Sequence, residues 1–334
     1  GNIGIGHVRW ATHGIPNVVN AHPHSSENVS VVHNGIIENA DELKKELEIK
    51  GLKFKSQTDT EVITLLITEE LKNSKPLESV FKTLSKLKGS FALGIIFKDF
   101  ADIIIGARRG SPLAVGYSNE ENYLGSDSYA LKSMTNKISY LDDGELCMIS
   151  KSDVSFFDAK RKKINKKVHI VSDEKNTSEK GDYKNFMSKE IFEQPLTVKK
   201  CINEYVDTSK KDINILNFPI KPKEIKKIIL IGCGTAYHSC LVAKYWFEEL
   251  LQIHCQVEVA SEYRYRRSVV KANTLFLTLS QSGETADTLA ALNKAKTLGY
   301  ANTLTICNVA DSALARASDL VIYTRVGPEI GVAS

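Results

Sequence analysis

Apolar positions recur along this chain with two different periods, and the change between them divides it. Up to about residue 175 the apolar runs are short and mixed in type. Val29-Ser30-Val31-Val32-His33 alternates as a half-buried strand does and leads into Asn34-Gly35, the strongest short signal for a hairpin turn. Residues 39–50 place Leu43 and Leu47 four apart with Gly51 behind them, which predicts a helix with a glycine stop. Residues 59–72 put Val62, Ile63, Leu66 and Ile67 on one face of a second helix, with Thr58 or Asp59 able to cap its start. The apolar runs at 91–97 and 103–107 predict buried strands, and Tyr123-Leu124 and Leu146–Ile149 are two more candidates.

Between residues 151 and 227 Lys, Asp, Ser and Asn dominate. Residues 172–222 read as an interdomain segment, with a helix over 184–193 that stops before Pro195, and with Pro219 and Pro222 at the entry to the next domain. From Ile228 the period changes. Short strands at 228–231, 257–260, 274–279, 304–307 and 320–323 alternate with helical stretches, the clearest being 236–251 and 285–298. Strand and helix alternating at this spacing predict a doubly wound parallel sheet. The expected organisation is a mixed α and β domain over 1–171, a linker over 172–222 and an α/β domain over 223–334.

Composition narrows the classes without choosing one. A chain of 334 residues has room for two cores, and 42% hydrophobic with 25% charged residues is ordinary for a folded protein. The net charge of +4 is small and the lysines are dispersed, which argues against nucleic acid as a partner. The densest basic run, residues 160–167, is expected to coat a solvated hairpin or loop. No stretch approaches the ~20 apolar residues of a membrane span, and no secretory signal is visible. Cys147, Cys201, Cys233, Cys240, Cys255 and Cys307 are scattered, with no C-x-x-C pair, so buried reduced thiols in a cytoplasmic protein are expected. His7, His13, His22, His24 and His33 crowd the start of the chain, yet no Asp, Glu or Cys falls at ligand spacing beside them, and no metal is expected.

Ser280-Gln281-Ser282-Gly283-Glu284-Thr285 sits where a predicted strand ends and a helix begins. Hydroxyls, a glycine and the first N–H groups of a helix make an anion site there, outside the carboxyl edge of a parallel sheet. A plain helix cap by Ser and Thr is the competing reading. Gly232-Cys233-Gly234-Thr235 ends another strand of the same sheet and offers a second hydroxyl to the same ligand. Neither loop is a Walker sequence or a G-x-G-x-x-G dinucleotide loop.

These loops, with residues 260–266 and Glu329-Ile330-Gly331-Val332-Ala333-Ser334, resemble the sugar isomerase (SIS) domain of the glutamine–fructose-6-phosphate aminotransferases. The first half resembles the glutaminase domain of the same family, through Arg9-Trp10-Ala11-Thr12-His13-Gly14, the V-N-A-H-P-H string, His33-Asn34-Gly35-Ile36-Ile37-Glu38-Asn39 and Thr58-Asp59-Thr60-Glu61. The resemblance implies an N-terminal-nucleophile sandwich of helices around two sheets, followed by the α/β doubly wound SIS domain. It implies that Arg9, Trp10, Thr12, His13 and Asp59 bind glutamine, with Arg9 on the α-carboxylate and Asp59 on the α-ammonium. Asn34 and Gly35 would form an oxyanion hole, where one donor is worth about 10²–10³-fold in rate. Ser280, Gln281, Ser282 and Thr285 would hold the phosphate of a sugar phosphate with Thr235 nearby, while Val332 and Ser334 line the sugar. Ala236 stands where the family often has Ser, a loss of about 1 kcal/mol in grip.

The implied reaction is glutamine-dependent amination and isomerisation of fructose 6-phosphate to glucosamine 6-phosphate, with no cofactor, in a homodimer joined through the SIS domains. It feeds amino-sugar and UDP-N-acetylglucosamine synthesis. The family's nucleophilic N-terminal Cys and its second isomerase subdomain fall outside this sequence, and loss of a nucleophile costs on the order of 10⁶-fold in rate. The 334 residues alone are therefore expected to be inactive, and a non-catalytic sugar-phosphate-binding module is the alternative.

Overall fold

The computed structural model describes the chain except residues 1, 9–12, 172–179, 208, 211, 214, 216–221, 301, 311 and 332–334. It divides into two compact units, Gly1–Asp173 and Glu174–Ser334.

In the first unit β1 (His24–Ser25) and β2 (Val29–Ile37) precede three helices, α1 (Ala40–Ile49), α2 (Asp59–Leu71) and α3 (Pro76–Leu84). Then come β3 (Gly89–Phe97), β4 (Phe100–Arg109), β5 (Ala114–Tyr117), β6 (Asn122–Gly125) and a single-turn helix α4 (Ser128–Leu131). Strands β7 (Lys137–Tyr140), β8 (Leu146–Ile149), β9 (Val154–Phe157), β10 (Lys163–Ile164) and β11 (His169–Ile170) complete it. They form two sheets, in the orders β1-β2-β3-β4-β8-β9-β10 and β11-β7-β5-β6, and every pairing is antiparallel.

Strand alternation decides which side chain meets which layer. Leu93 and Ile95 of β3 pack with Leu47, Ile63, Ile67 and Val80 of the three helices. Ala92 points the other way and meets Val115, Cys147 and Phe156 between the sheets. Beyond the second sheet Leu131 of α4 packs on Ala114, Ile138 and Tyr140. The layers are helices, sheet, sheet and one further helical turn, as a glutaminase sandwich requires.

The hairpin turn expected at Asn34-Gly35 does not form. Strand β2 runs straight through both residues to Ile37, paired in register with β3. Nine consecutive pairings along β3 outweigh the local turn preference of the dipeptide. The basic run does lie in and after the β9–β10 hairpin and is exposed, apart from Ile164 and Lys166. The Lys166 ammonium is tucked between Asp142 (2.6 Å) and Glu145 (2.9 Å).

In the second unit α5 (Phe186–Tyr205) leads to a small hairpin, β12 (Val206–Asp207) and β13 (Asp212–Ile213). The sheet domain follows as β14 (Lys227–Gly232), α6 (Gly234–Leu251), β15 (His254–Val259), α7 (Ala260–Tyr265), β16 (Thr274–Ser280), α8 (Ala286–Leu298), β17 (Asn302–Cys307), α9 (Ala313–Ala317) and β18 (Leu320–Tyr323). The strands are parallel in the order β15-β14-β16-β17-β18. Ile228, Leu230, Leu275 and Leu277 face Cys240 of α6, while Ile229, Ile231 and Phe276 face Tyr263, Leu292 and Leu314 on the opposite side. Helices therefore cover both faces, and the sheet is doubly wound as the alternation predicts.

The helix expected to stop before Pro195 instead continues through it to Tyr205. Proline removes one N–H and frees the carbonyl of Ile191 four residues back. Pro195 is exposed and Ile191 is 53% exposed, so water replaces the lost donor. The six cysteines are unpaired, four of them buried, and Cys201 and Cys233 are half-buried.

Candidate functional sites

The first candidate site lies at the Ile37 end of β2. Gly35 holds φ +141, and a Cβ there would stand 2.0 Å from the carbonyl oxygen of Ser90 on β3. Only glycine fits so close a backbone crossing. Asn34 is exposed. Asp59, at the first turn of α2, is buried and accepts the N–H of Ile37 through Oδ2 at 2.9 Å. The same oxygen lies 3.8 Å from Nδ1 of His33. The Asp59 carboxylate thus ties the helix to the strand just beyond the Asn34-Gly35 pair.

Histidines organise the floor. The Thr60 hydroxyl lies 3.1 Å from Nδ1 of His33 and 3.0 Å from Nε2 of His22. Burial lowers the His33 imidazole from its usual value to about 4, with Asp59 opposing the shift and nearby His7 and His13 adding to it. His33 is neutral at pH 7. No group of three or more His, Cys, Asp or Glu among the described residues is placed to hold a metal ion.

Thr58 stands at the N-cap of α2 but makes no side-chain cap. Its hydroxyl is taken by Nε2 of His24 (2.9 Å). The chain entering α2 is held instead by Glu61, whose carboxylate accepts Lys55 N (2.8 Å), Ser56 N (2.6 Å) and the Ser56 hydroxyl (2.7 Å). Asn20, 2% exposed, clamps the segment after His13. Its amide donates to Ile15 O (3.0 Å) and Gln57 Oε1 (3.2 Å) and accepts Gln57 N (2.9 Å). Asn20, Thr60 and Glu61 lie inside the motif strings without an expected role, and Thr58, expected as a cap, serves His24 instead. A polar residue type recurring in a buried stretch is the only signal they give.

Of the residues singled out from sequence, Asn34, Gly35 and Asp59 come together here. His13 reaches the neighbourhood of His33 electrostatically. Arg9, Trp10 and Thr12 lie outside the described residues. A cavity of about 600 Å³ opens between the two sheets beside Asn34, lined among others by His7, His33, Leu93, Tyr123 and Leu131.

The second candidate site lies at the carboxyl edge of the parallel sheet. The strand order turns back between β15 and β16, so β14 and β16 flank the switch point where ligands of open α/β sheets bind. Ile231 pairs with Thr278, so the two strands end side by side. Gly232-Cys233-Gly234-Thr235 and Ser280–Thr285 therefore leave the sheet together. Thr235 is exposed in the first turn of α6. Thr285 is the N-cap residue of α8, yet its side chain makes no cap bond. Its hydroxyl meets that of Ser280 at 3.0 Å, and Ser280 Oγ also accepts Gly283 N at 3.1 Å. Ser282 Oγ accepts Glu284 N at 3.2 Å. The plain-cap reading does not account for the Ser280–Thr285 hydroxyls, since no side chain caps α8. Val332 and Ser334 lie outside the described residues.

Both halves match known domains. Residues 15–133 match the glutamine amidotransferase domain and residues 223–334 the SIS domain. The chain thus joins an amidotransferase domain to an α/β domain of the SIS type. Over its whole length it is 46% identical to the glutamine–fructose-6-phosphate aminotransferase (isomerizing) of Zymomonas mobilis, covering 100% of this chain and 55% of that protein. The counterpart from Acinetobacter baylyi is also 46% identical over 100% of this chain and 56% of its own length. A solved C-terminal domain of the Francisella tularensis enzyme is 43% identical over 47% of this chain and 44% of its own, with a TM-score of 0.45. The chain belongs to the glutamine–fructose-6-phosphate aminotransferase family, and it spans about half the length of the curated relatives it matches.

Proposed function

We propose that this chain supplies the glutamine-binding site and the phosphate-binding half of the sugar site for glutamine-dependent conversion of fructose 6-phosphate to glucosamine 6-phosphate and glutamate. In the first unit the Asn34 side-chain amide and the Gly35 N–H donate to the oxyanion that forms as the glutamine amide is attacked. Arg9 pairs with the α-carboxylate, and Asp59 keeps one oxygen for the α-ammonium while the other holds Ile37. Thr12 and His13 bind glutamine from the preceding loop and Trp10 closes over it.

In the second unit Ser280, Gln281, Ser282 and Thr285 bind the sugar phosphate at the uncapped start of α8, where the helix dipole favours an anion. Thr235 adds a hydroxyl, and Val332 and Ser334 line the sugar. No cofactor is called for, because the nitrogen is carried as ammonia from one site to the other. The reading also makes this a cytoplasmic homodimer joined through the SIS domains. Val242, Tyr245, Trp246 and Leu250 support that pairing, being exposed at helical spacing on one face of α6. Sedimentation of the protein checks it.

The observation that carries the proposal is the hydroxyl-rich loop set at the switch point beside uncapped helix starts. Calorimetric titration with glucosamine 6-phosphate tests it. Thr285→Val removes one charge-assisted bond and is expected to weaken binding about tenfold. Unchanged affinity places the phosphate elsewhere. Ammonia release from glutamine separates the two readings: a signal above blank removes the binding-module alternative, and sugar-phosphate binding without turnover favours it.

A further inference from the structure

Glu284 is the one acidic residue of the phosphate loop, and its position needs an explanation. A carboxylate beside a bound phosphate repels it. The structure turns this carboxylate away from the loop's own donors: Oε1 accepts the N–H of Ala313, the first residue of α9, at 2.7 Å.

The segment from the end of β17 into α9 holds the loop backbone at two more points. Leu314 N donates to Gly283 O (2.9 Å) and Asn308 N to Gln281 O (3.1 Å). Asn308 is itself braced, its side chain bonding Gly327 O (2.6 Å) and Val326 N (2.9 Å). Gly283, at φ +67, packs so tightly that a Cβ would lie 2.0 Å from the Ser312 hydroxyl.

Peptide planarity then orients the opposite side of the loop. In a trans peptide the C=O and the next N–H point in opposite directions. With the carbonyls of Gln281 and Gly283 held against the β17–α9 connection, the N–H groups of Ser282 and Glu284 point away from it. The second of these meets Ser282 Oγ, on the hydroxyl side of the loop. Acceptors are gathered on one side and donors on the other, as an anion cradle requires.

We propose that Glu284 is a positioning residue for the anion loop: bound to Ala313 N–H, its carboxylate latches the loop to α9, keeps the donors facing the ligand and so sets the preference for a phosphorylated over an unphosphorylated sugar. The proposal rests on the sugar-phosphate reading of this site.

The test uses the full chain, titrated with glucosamine 6-phosphate and with glucosamine as the neutral control, beside amide hydrogen exchange of residues 281–285 without ligand. Glu284→Gln keeps an acceptor for Ala313 and is expected to stay within about threefold of the parent. Glu284→Ala loses the latch, with phosphate affinity falling about tenfold or more and loop exchange rising. Ala313→Pro removes the donor while leaving the loop sequence intact, at a first-turn position where proline is tolerated, and is expected to match Glu284→Ala. It also stands in if Glu284→Ala fails to fold. Parent-like affinity and exchange in Glu284→Ala or Ala313→Pro overturn the proposal, and so does a Gln variant as impaired as the Ala variant. If the parent chain itself ignores glucosamine 6-phosphate, the sugar-phosphate reading fails, and loop exchange unchanged in Glu284→Ala then refutes the latch separately.

Discussion

Gly35→Ala probes the strand crossing on which the first site depends. Two costs add. A φ of +141 is foreign to an L side chain, and holding one there costs about 1–3 kcal/mol. The new methyl would also stand 2.0 Å from Ser90 O and 2.8 Å from Ser90 C, both backbone atoms of β3 that no rotamer change can move aside. Forcing the strands apart costs about 1–3 kcal/mol more. The sum, about 2–6 kcal/mol, is a large fraction of a typical domain's stability. Gly51→Ala is the control, because Gly51 also has positive φ (+83) but no atom within 4 Å of the added carbon. It carries only the conformational cost. Urea unfolding, with hydrogen exchange along the β2–β3 ladder assigning the transition to the first unit, measures both. The Gly35 variant should unfold earlier by about 1 M or more, given slopes of about 1–3 kcal/mol/M. A Gly35→Ala loss below about 1 kcal/mol, or one no larger than that of Gly51→Ala, refutes the close-approach argument.

Acid should loosen the first unit through His33. Its imidazole titrates near 4 when folded against 6.5 when exposed, so the unfolded chain binds the proton first. Stability is full above about pH 6.5 and falls as pH drops towards 4, by about 3 kcal/mol in all. A unit-1 unfolding midpoint in His33→Gln with the same slope between pH 7 and 4.5 as the parent contradicts this. Asn20→Ala strips the clamp between Ile15 and Gln57 and leaves the Gln57 N–H without its acceptor. Hydrogen exchange and proteolysis should rise over residues 13–20, at a local cost of about 1–3 kcal/mol, while the helix-packed core of α2 and β3 stays protected. Protection of 13–20 equal to the parent counts against the clamp.

Much of this protein can be read locally. Strands β14 to β18 and their helices are short, periodic and bounded by turn residues, so each announces itself within its own ten residues or so. The loops proposed to hold glutamine and a sugar phosphate are equally local, being continuous strings. Where the local reading failed, a neighbour distant in sequence or the solvent had intervened. Asn34-Gly35 has the composition of a turn and stays extended because β3 pairs along its whole length. Pro195 has the composition of a stop and is carried through because solvent satisfies the freed carbonyl.

The sequence by itself determined the alternation of elements and the apolar faces, since both rest on side-chain spacing within one segment, and it supplied the loops on which the two proposed sites rest. The tertiary structure alone decided the strand order that sets β14 beside β16, the turning of Asp59 onto Ile37 and the fastening of Glu284 to α9. Each is a pairing between segments separated by many residues. It depends on which backbone donors and acceptors burial leaves to be satisfied, and no local period records that.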